Sequence, residues 1–254
     1  ENEALAWITG MLGWPSSSGG TFVSGGTSGN HSALMTARET AKARRGGRPA
    51  GGWQLACTTT AHSSIHSAAR ALDVDLVTVP GDERDHLTGA ALRAVLAEHP
   101  DVFAVVASAG TTNEGLVDDL ADVADVCEEY GVWLHVDACV GGWIAPFVAD
   151  IGRPIPAFDF ALEGVKSISA DLHKFGFCPK PASTVFYRSK ELQASQEFVF
   201  DAWPSGRFAT QTLVGTRPAG AVAAAWAVLR HLGRDGYRKI AAEVMAVRDA
   251  YLEG

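Results

Sequence analysis

Lys174 closes the stretch Ser167-Ile168-Ser169-Ala170-Asp171-Leu172-His173-Lys174, just beyond a β-prone run from Val165 to Ala170. A lysine set past a buried strand either reaches solvent from the strand end or sheds its proton among apolar walls. In the second case the neutral amine attacks carbonyl groups, which makes Lys174 a Schiff-base candidate. A carboxylate, Asp137, stands in His135-Val136-Asp137-Ala138-Cys139. If the strand runs through this segment, period-two geometry puts His135, Asp137 and Cys139 on one face, as a metal triad would require. No second His/Cys group with ligand spacing accompanies it, and His62 and His66 lack the Glu of H-E-x-x-H, so no metal is expected. Two readings of Asp137 remain: a cap on the Gly141-Gly142 turn, or a carboxylate that keeps a cationic ring nitrogen protonated where water is scarce.

The segment Ser24-Gly25-Gly26-Thr27-Ser28-Gly29-Asn30 precedes a helical pattern from about Ser32 to Arg45. Glycines and hydroxyl residues at a helix start make an anion site from free backbone N–H groups and the helix dipole, or else a plain Ser/Thr cap. Neither G-x-x-x-x-G-K-[ST] nor a strand-to-helix G-x-G-x-x-G occurs, so nucleotide binding has no support.

These groups need elements to position them. Strand-like runs at Trp53 to Thr59, Val74 to Val79, Val102 to Ala107 and Val132 to Asp137 alternate with helical runs at His62 to Leu72, Thr88 to His99 and Leu120 to Tyr130. Such alternation predicts a mainly parallel sheet covered on both faces, with ligands beyond the carboxyl ends of its strands. Thr111, Asp137 and Lys174 all fall at or past such ends. Ser183 to Arg188 reads as a return strand. Phe198 to Gly206 reads as an aromatic loop, buried over the site or between subunits. Ala219 to Leu232 reads as an apolar helix covered by another layer or another chain.

The chain has 254 residues, 47% hydrophobic and 20% charged, enough to bury a large core. A net charge of -8, without a long basic run, argues against nucleic acid and anionic membranes as partners. With no apolar run of about eighteen residues and no leader pattern, a cytoplasmic location is expected. Cys57, Cys127, Cys139 and Cys178 show no C-x-x-C spacing and read as reduced. Both ends fall in helical patterns without an initiator Met, so a piece of a longer protein is expected.

His135-Val136-Asp137-Ala138-Cys139-x-Gly141-Gly142, followed by Ser169-Ala170-Asp171-x-His173-Lys174-Phe175-Gly176, resembles the pyridoxal-phosphate-dependent (group II) decarboxylase superfamily. That group includes amino-acid decarboxylases and sphingosine-1-phosphate lyase. The resemblance implies an α/β fold of the aspartate-aminotransferase type (fold type I), a mainly parallel seven-stranded sheet between helices. Residues 1–254 would form its pyridoxal 5'-phosphate-binding large domain. It further implies that Lys174 forms the Schiff base and His173 lies near the cofactor phosphate. Asp137 would pair with the pyridinium nitrogen, His62 would stack on one ring face and Cys139 would meet the other. Thr27 and Ser28 would hold the phosphate, and Thr111 would line the site.

Decarboxylation of an L-amino acid is the expected reaction, in a homodimer. Gly110-Thr111-Thr112-x-x-Gly115 with Asp118 looks like the decarboxylases. Cys139, Lys180 and Gly215-Thr216-Arg217-Pro218 look more like the lyases that cleave phosphorylated amino alcohols to aldehydes. A non-catalytic cofactor-binding fragment is the third reading.

Overall fold

The computed structural model describes residues 1–254. A seven-stranded sheet is assembled from β1 (Gly19–Val23), β2 (Trp53–Cys57), β3 (Val74–Thr78), β4 (Val102–Ser108), β5 (Trp133–Asp137), β6 (Val165–Ala170) and β7 (Ser183–Tyr187). Their order is β1-β7-β6-β5-β4-β2-β3. The strands β3, β2, β4, β5 and β6 pair in parallel, and β7 lies antiparallel to both β6 and β1. The mainly parallel sheet expected from the alternation is therefore present, with one reversed strand near its edge. All seven residues of β4 and all five of β5 are buried, as apolar strands covered on both faces must be.

Helices α2 (Gly26–Arg45), α3 (Ser63–Leu72) and the short α7 (Lys190–Ala194) cover one face. Helices α1 (Asn2–Leu12), α4 (Gly89–Glu98), α5 (Leu120–Tyr130), α6 (Ala145–Asp150) and α8 (Ala219–Glu253) cover the other. The face beneath α2 holds Leu34, Leu55, Ile65 and Phe103, and the opposite face holds Ile8, Leu92, Leu134, Val136, Ile168 and Phe147. Period two thus divides β5 cleanly. Leu134 and Val136 enter one core, while Trp133 faces α2 together with His135 and Asp137.

Two expectations need correction. Helix α2 begins at Gly26, not near Ser32. Its first turn, Gly-Thr-Ser-Gly, has poor intrinsic propensity, and close packing on the sheet supplies what propensity lacks. The aromatic segment is a loop only between residues 201 and 207. Phe198–Phe200 and Phe208–Thr210 pair as a small antiparallel hairpin, β8 and β9, with Phe198 and Phe208 6.3 Å apart across it. It is not buried over the site within this chain, where Phe198, Phe200 and Trp203 are each about half exposed. The two helical patterns near the carboxyl terminus fall on either side of a break at Gly233 within α8, and in this single chain only Ala225, Leu229, Tyr237 and Ala241 are buried. That is one stripe of the helix, not most of its surface.

Glycines permit the packing of α2. A Cβ at Gly26 would lie 2.5 Å from Cys139 Sγ and 3.0 Å from Asp171 Oδ2, and one at Gly29 would lie 2.8 Å from Ser169 Oγ. Gly26→Ala should therefore cost about 1–3 kcal/mol by overpacking, read as a lowered urea midpoint at unchanged slope. A wild-type midpoint would mean that the helix start moves aside freely.

Candidate active site

The carboxyl ends of β1, β4, β5 and β6 open onto a cleft of about 340 Å³. Thr27, Ser28, His62, Thr111, Asp137, Cys139, His173 and Lys174, all marked by the sequence, line it together. At its floor the chain leaves β1 and enters α2 through Gly25, whose φ of 140° lies in the region that favours glycine. No side chain caps this helix start. The first intrahelical bond of the turn runs from Gly29 N to Gly25 O, so the N–H groups of Gly26, Thr27 and Ser28 carry the positive end of the helix dipole. An anion cradle, not a Ser/Thr cap, is what this loop builds.

Asp137 ends β5 and is buried. Its Oδ1 accepts the Cys139 N–H at 3.1 Å, so it does cap the turn that follows. Its Oδ2 accepts from Asn30 Nδ2 at 2.9 Å. The turn-cap reading of Asp137 therefore holds for Oδ1, while Oδ2 is held by the Asn30 amide at the cleft. Cys139 packs against Gly26, and burial followed by the nearby carboxylates of Asp137 and Asp171 pushes its thiol well above the ordinary range. The group stays a neutral wall of the cleft.

His62 is the residue before α3 and is exposed to the cleft. Its Nδ1 accepts the Ser64 N–H at 3.1 Å and lies 2.9 Å from Ser64 Oγ. His173 donates Nδ1–H to the Ala182 carbonyl at 2.8 Å, which leaves Nε2 for other partners. The Thr111 hydroxyl is engaged within its own loop, accepting from Leu116 N at 3.0 Å and donating to Glu114 at 3.3 Å. Asp118 pins that region by accepting the N–H groups of Leu87 and Ser108, at 2.7 and 2.6 Å.

Lys174 lies just past β6 with its side chain 37% exposed, and its Nζ is 3.0 Å from Asp171 Oδ2. Burial alone lowers the affinity of its amine for a proton, but the Asp171 charge and hydrogen bond outweigh it, and the pKa is raised. The sequence left open a neutral, reactive amine. In this structure Lys174 is instead an ammonium paired with Asp171. Asp171 is itself buried, accepts a hydrogen bond from Ser183, and has His173 Nε2 at 3.7 Å.

Sequence reasoning missed two site residues. Asp171 stood inside the quoted motif, one helical turn before Lys174, and its charge was the available signal. Asn30 falls in the buried series Asn30, Leu34, Ala37, Ala41, and a lone amide on a core-facing stripe was its signal.

The anion cradle, the strand-end carboxylate and the strand-end lysine sharing one cleft define a pyridoxal-phosphate-binding domain of fold type I. The sequence model of the pyridoxal-dependent decarboxylase conserved domain matches residues 1–253, and the chain belongs to that family. Among its relatives, a sphingosine-1-phosphate lyase of Dictyostelium discoideum is 34% identical over 255 residues, covering 100% of this chain and 47% of that protein. An L-aspartate decarboxylase of Thermococcus kodakarensis is 35% identical over 245 residues, covering 96% and 61%. Among solved structures, the sphingosine-1-phosphate lyase of Burkholderia pseudomallei superposes with a TM-score of 0.87 at 34% identity, covering 95% of this chain and 57% of that one. The chain thus spans about half the length of the curated relatives it matches.

The raised pKa of Lys174 has a kinetic sign. Only the deprotonated amine adds to an aldehyde, so uptake of pyridoxal phosphate should quicken as pH rises toward and beyond the ordinary lysine range. Asp171→Asn should move that rate profile to lower pH, followed by the visible absorbance change on mixing. An unmoved profile would show that Asp171 does not hold the proton on Lys174.

Proposed function

We propose that residues 1–254 are the cofactor-binding domain of a pyridoxal-phosphate-dependent carboxy-lyase that acts on an L-amino acid, with Lys174 as the residue bonded to the cofactor. The observation that carries this reading is Asp137 and Lys174 facing one cleft whose floor is the uncapped start of α2. The residues fit the group. Gly26 lets the helix start pack against Cys139 and Asp171 where any side chain would clash, free N–H groups suit a phosphate, and Asp137 offers a carboxylate to a ring nitrogen.

Pyridoxal phosphate, when bound, supplies an electron sink for a bond breaking at a substrate's α-carbon. The protein's part is to hold and orient. The N–H groups of Gly26, Thr27 and Ser28 bind phosphate, and His173 adds Nε2. Asp137 would face the ring nitrogen and favour its protonated form, and His62 would be the residue to pack on the ring. Lys174, paired with Asp171, would be the amine that holds the aldehyde carbon once its proton has passed to solvent. Thr111 and Cys139 close the walls and exclude water.

 Relatives named as aspartate or tyrosine/aspartate decarboxylases are 33–37% identical, against 34% for the Dictyostelium lyase, and would not by themselves choose this reaction over aldehyde release. Loss of carbon dioxide is preferred because Gly110-Thr111-Thr112-x-x-Gly115 with Asp118 resembles the decarboxylases; Gly110, Thr111 and Thr112 line the cleft, and Asp118 pins that segment from behind. One observation favours cleavage of a phosphorylated amino alcohol to an aldehyde: Lys180 lines the same cleft and brings a second cation to it. The exposed hairpin aromatics and the open side of α8 support a homodimer.

The test is reduction with borohydride in the presence of pyridoxal phosphate, with the modified lysine mapped by mass spectrometry. Label on Lys174, lost in Lys174→Ala, is expected; label spread over surface lysines with Lys174 free would sink the assignment. A screen of amino acids against phosphorylated amino alcohols, reading carbon dioxide and aldehyde, separates the two reactions. Asp137→Ala should cut turnover by about a hundredfold or more.

A further inference from the structure

We propose that Asn30, locked in one orientation by His135, is the positioning residue that aims Asp137 into the cleft and sets the tautomer of His62. This rests on the cofactor reading above and concerns residues behind the cleft wall. Asn30 is buried in the second turn of α2, and its amide meets three partners. Nδ2 lies 2.9 Å from Asp137 Oδ2 and 2.9 Å from Ser64 Oγ, while Oδ1 lies 3.0 Å from His135 Nε2. The reverse orientation would turn the amide oxygen toward a carboxylate, two acceptors with no proton between them.

What forbids that reversal is His135. An amide oxygen only accepts, so Nε2 of His135 must carry the proton. The imidazole is fully buried, and burial pushes its pKa down to about 4, which leaves it neutral with a bare Nδ1. That nitrogen lies 2.8 Å from Ser167 Oγ and accepts its proton. Ser167 Oγ in turn accepts the indole N–H of Trp133 at 2.8 Å, so its own proton is free for His135. Ser169 Oγ, 3.4 Å from Nε2, is a weaker second acceptor there. From Trp133 to Asp137 each donor has an acceptor and the direction is the same throughout.

The second N–H of Asn30 does further work. Ser64 Oγ accepts it and donates its own proton to His62 Nδ1, which also accepts the Ser64 N–H. With Nδ1 an acceptor, the ring proton of His62 sits on Nε2. One amide thus joins the carboxylate meant for the ring nitrogen to the histidine meant for the ring face. Turning the Asn30 amide would set its oxygen against the Asp137 carboxylate and its NH2 against the His135 Nε2–H, leaving buried polar atoms unpaired.

The test compares two substitutions at His135. His135→Gln keeps an N–H that reaches Asn30 Oδ1, and His135→Leu keeps bulk without a donor. Binding of pyridoxal phosphate is measured by equilibrium dialysis, with the visible spectrum of the bound cofactor recorded alongside. His135→Leu should bind at least about tenfold more weakly with an altered ratio of absorption bands, and His135→Gln should stay within about threefold of wild type with its spectrum. A His135→Leu protein with wild-type affinity and spectrum overturns the proposal, as does a His135→Gln protein as impaired as His135→Leu. If His135→Leu does not fold, Ser167→Ala takes its place. It keeps the imidazole but frees its tautomer, so weaker binding and a changed spectrum are expected, and wild-type values for both overturn the proposal. Wild-type protein that takes up no pyridoxal phosphate removes the cofactor reading and the relay with it, whereas wild-type protein that binds no better than His135→Leu removes the relay alone.

Discussion

The close approach of α2 to the sheet is the constraint on which the rest depends. Gly26 and Gly29 remove the side chains that would hold the helix away, and the helix start then touches Cys139, Asp171 and Ser169. Three consequences share that cause. The free N–H groups reach the cleft, Asn30 reaches Asp137 and His135, and Cys139 becomes a buried wall. A helix at ordinary distance would leave the cleft floor open and Asp137 without its amide partner.

Polarity beneath α2 follows a gradient that serves the same end. Far from the cleft its contacts are apolar, through Leu34, Ala37 and Ala41. Nearer the cleft they become polar, with Asn30 above His135, Ser167 and Ser169, all buried and all hydrogen-bonded. Such a stripe costs desolvation, and satisfied geometry is what makes it tolerable. The charges in the cleft are arranged with similar economy. Asp171 faces Lys174 and His173, whereas Asp137 receives only neutral donors.

Much of this was legible in the sequence, and for a physical reason. Strand ends and helix starts are encoded locally, so β6 and α5 fall where periodicity placed them, and Thr111, Asp137 and Lys174 lie at one edge of the sheet. The start of α2 was not legible, because tertiary packing there overrides the weak helix propensity of glycine, serine and threonine. The hairpin at Phe198 was read as a loop because its strands are only three residues long, too short for alternation to register. The ionic state of Lys174 was open for a different reason. It depends on a partner one turn away whose direction no spacing rule fixes.

The placement of β7 carries a further consequence, for the order in which the molecule comes together. Val23 at the end of β1 pairs with Ser183, and Ala170 at the end of β6 pairs with Thr184, so the first residues of β7 are what bring the glycine loop beside the lysine segment. Those two segments lie far apart along the chain, and no local contact can substitute for the strand between them. The cleft therefore belongs to the slow, long-range part of folding, after the parallel strands have found one another. A ligand that needs both segments binds only the finished sheet, so its binding free energy is spent on holding the edge strands in place.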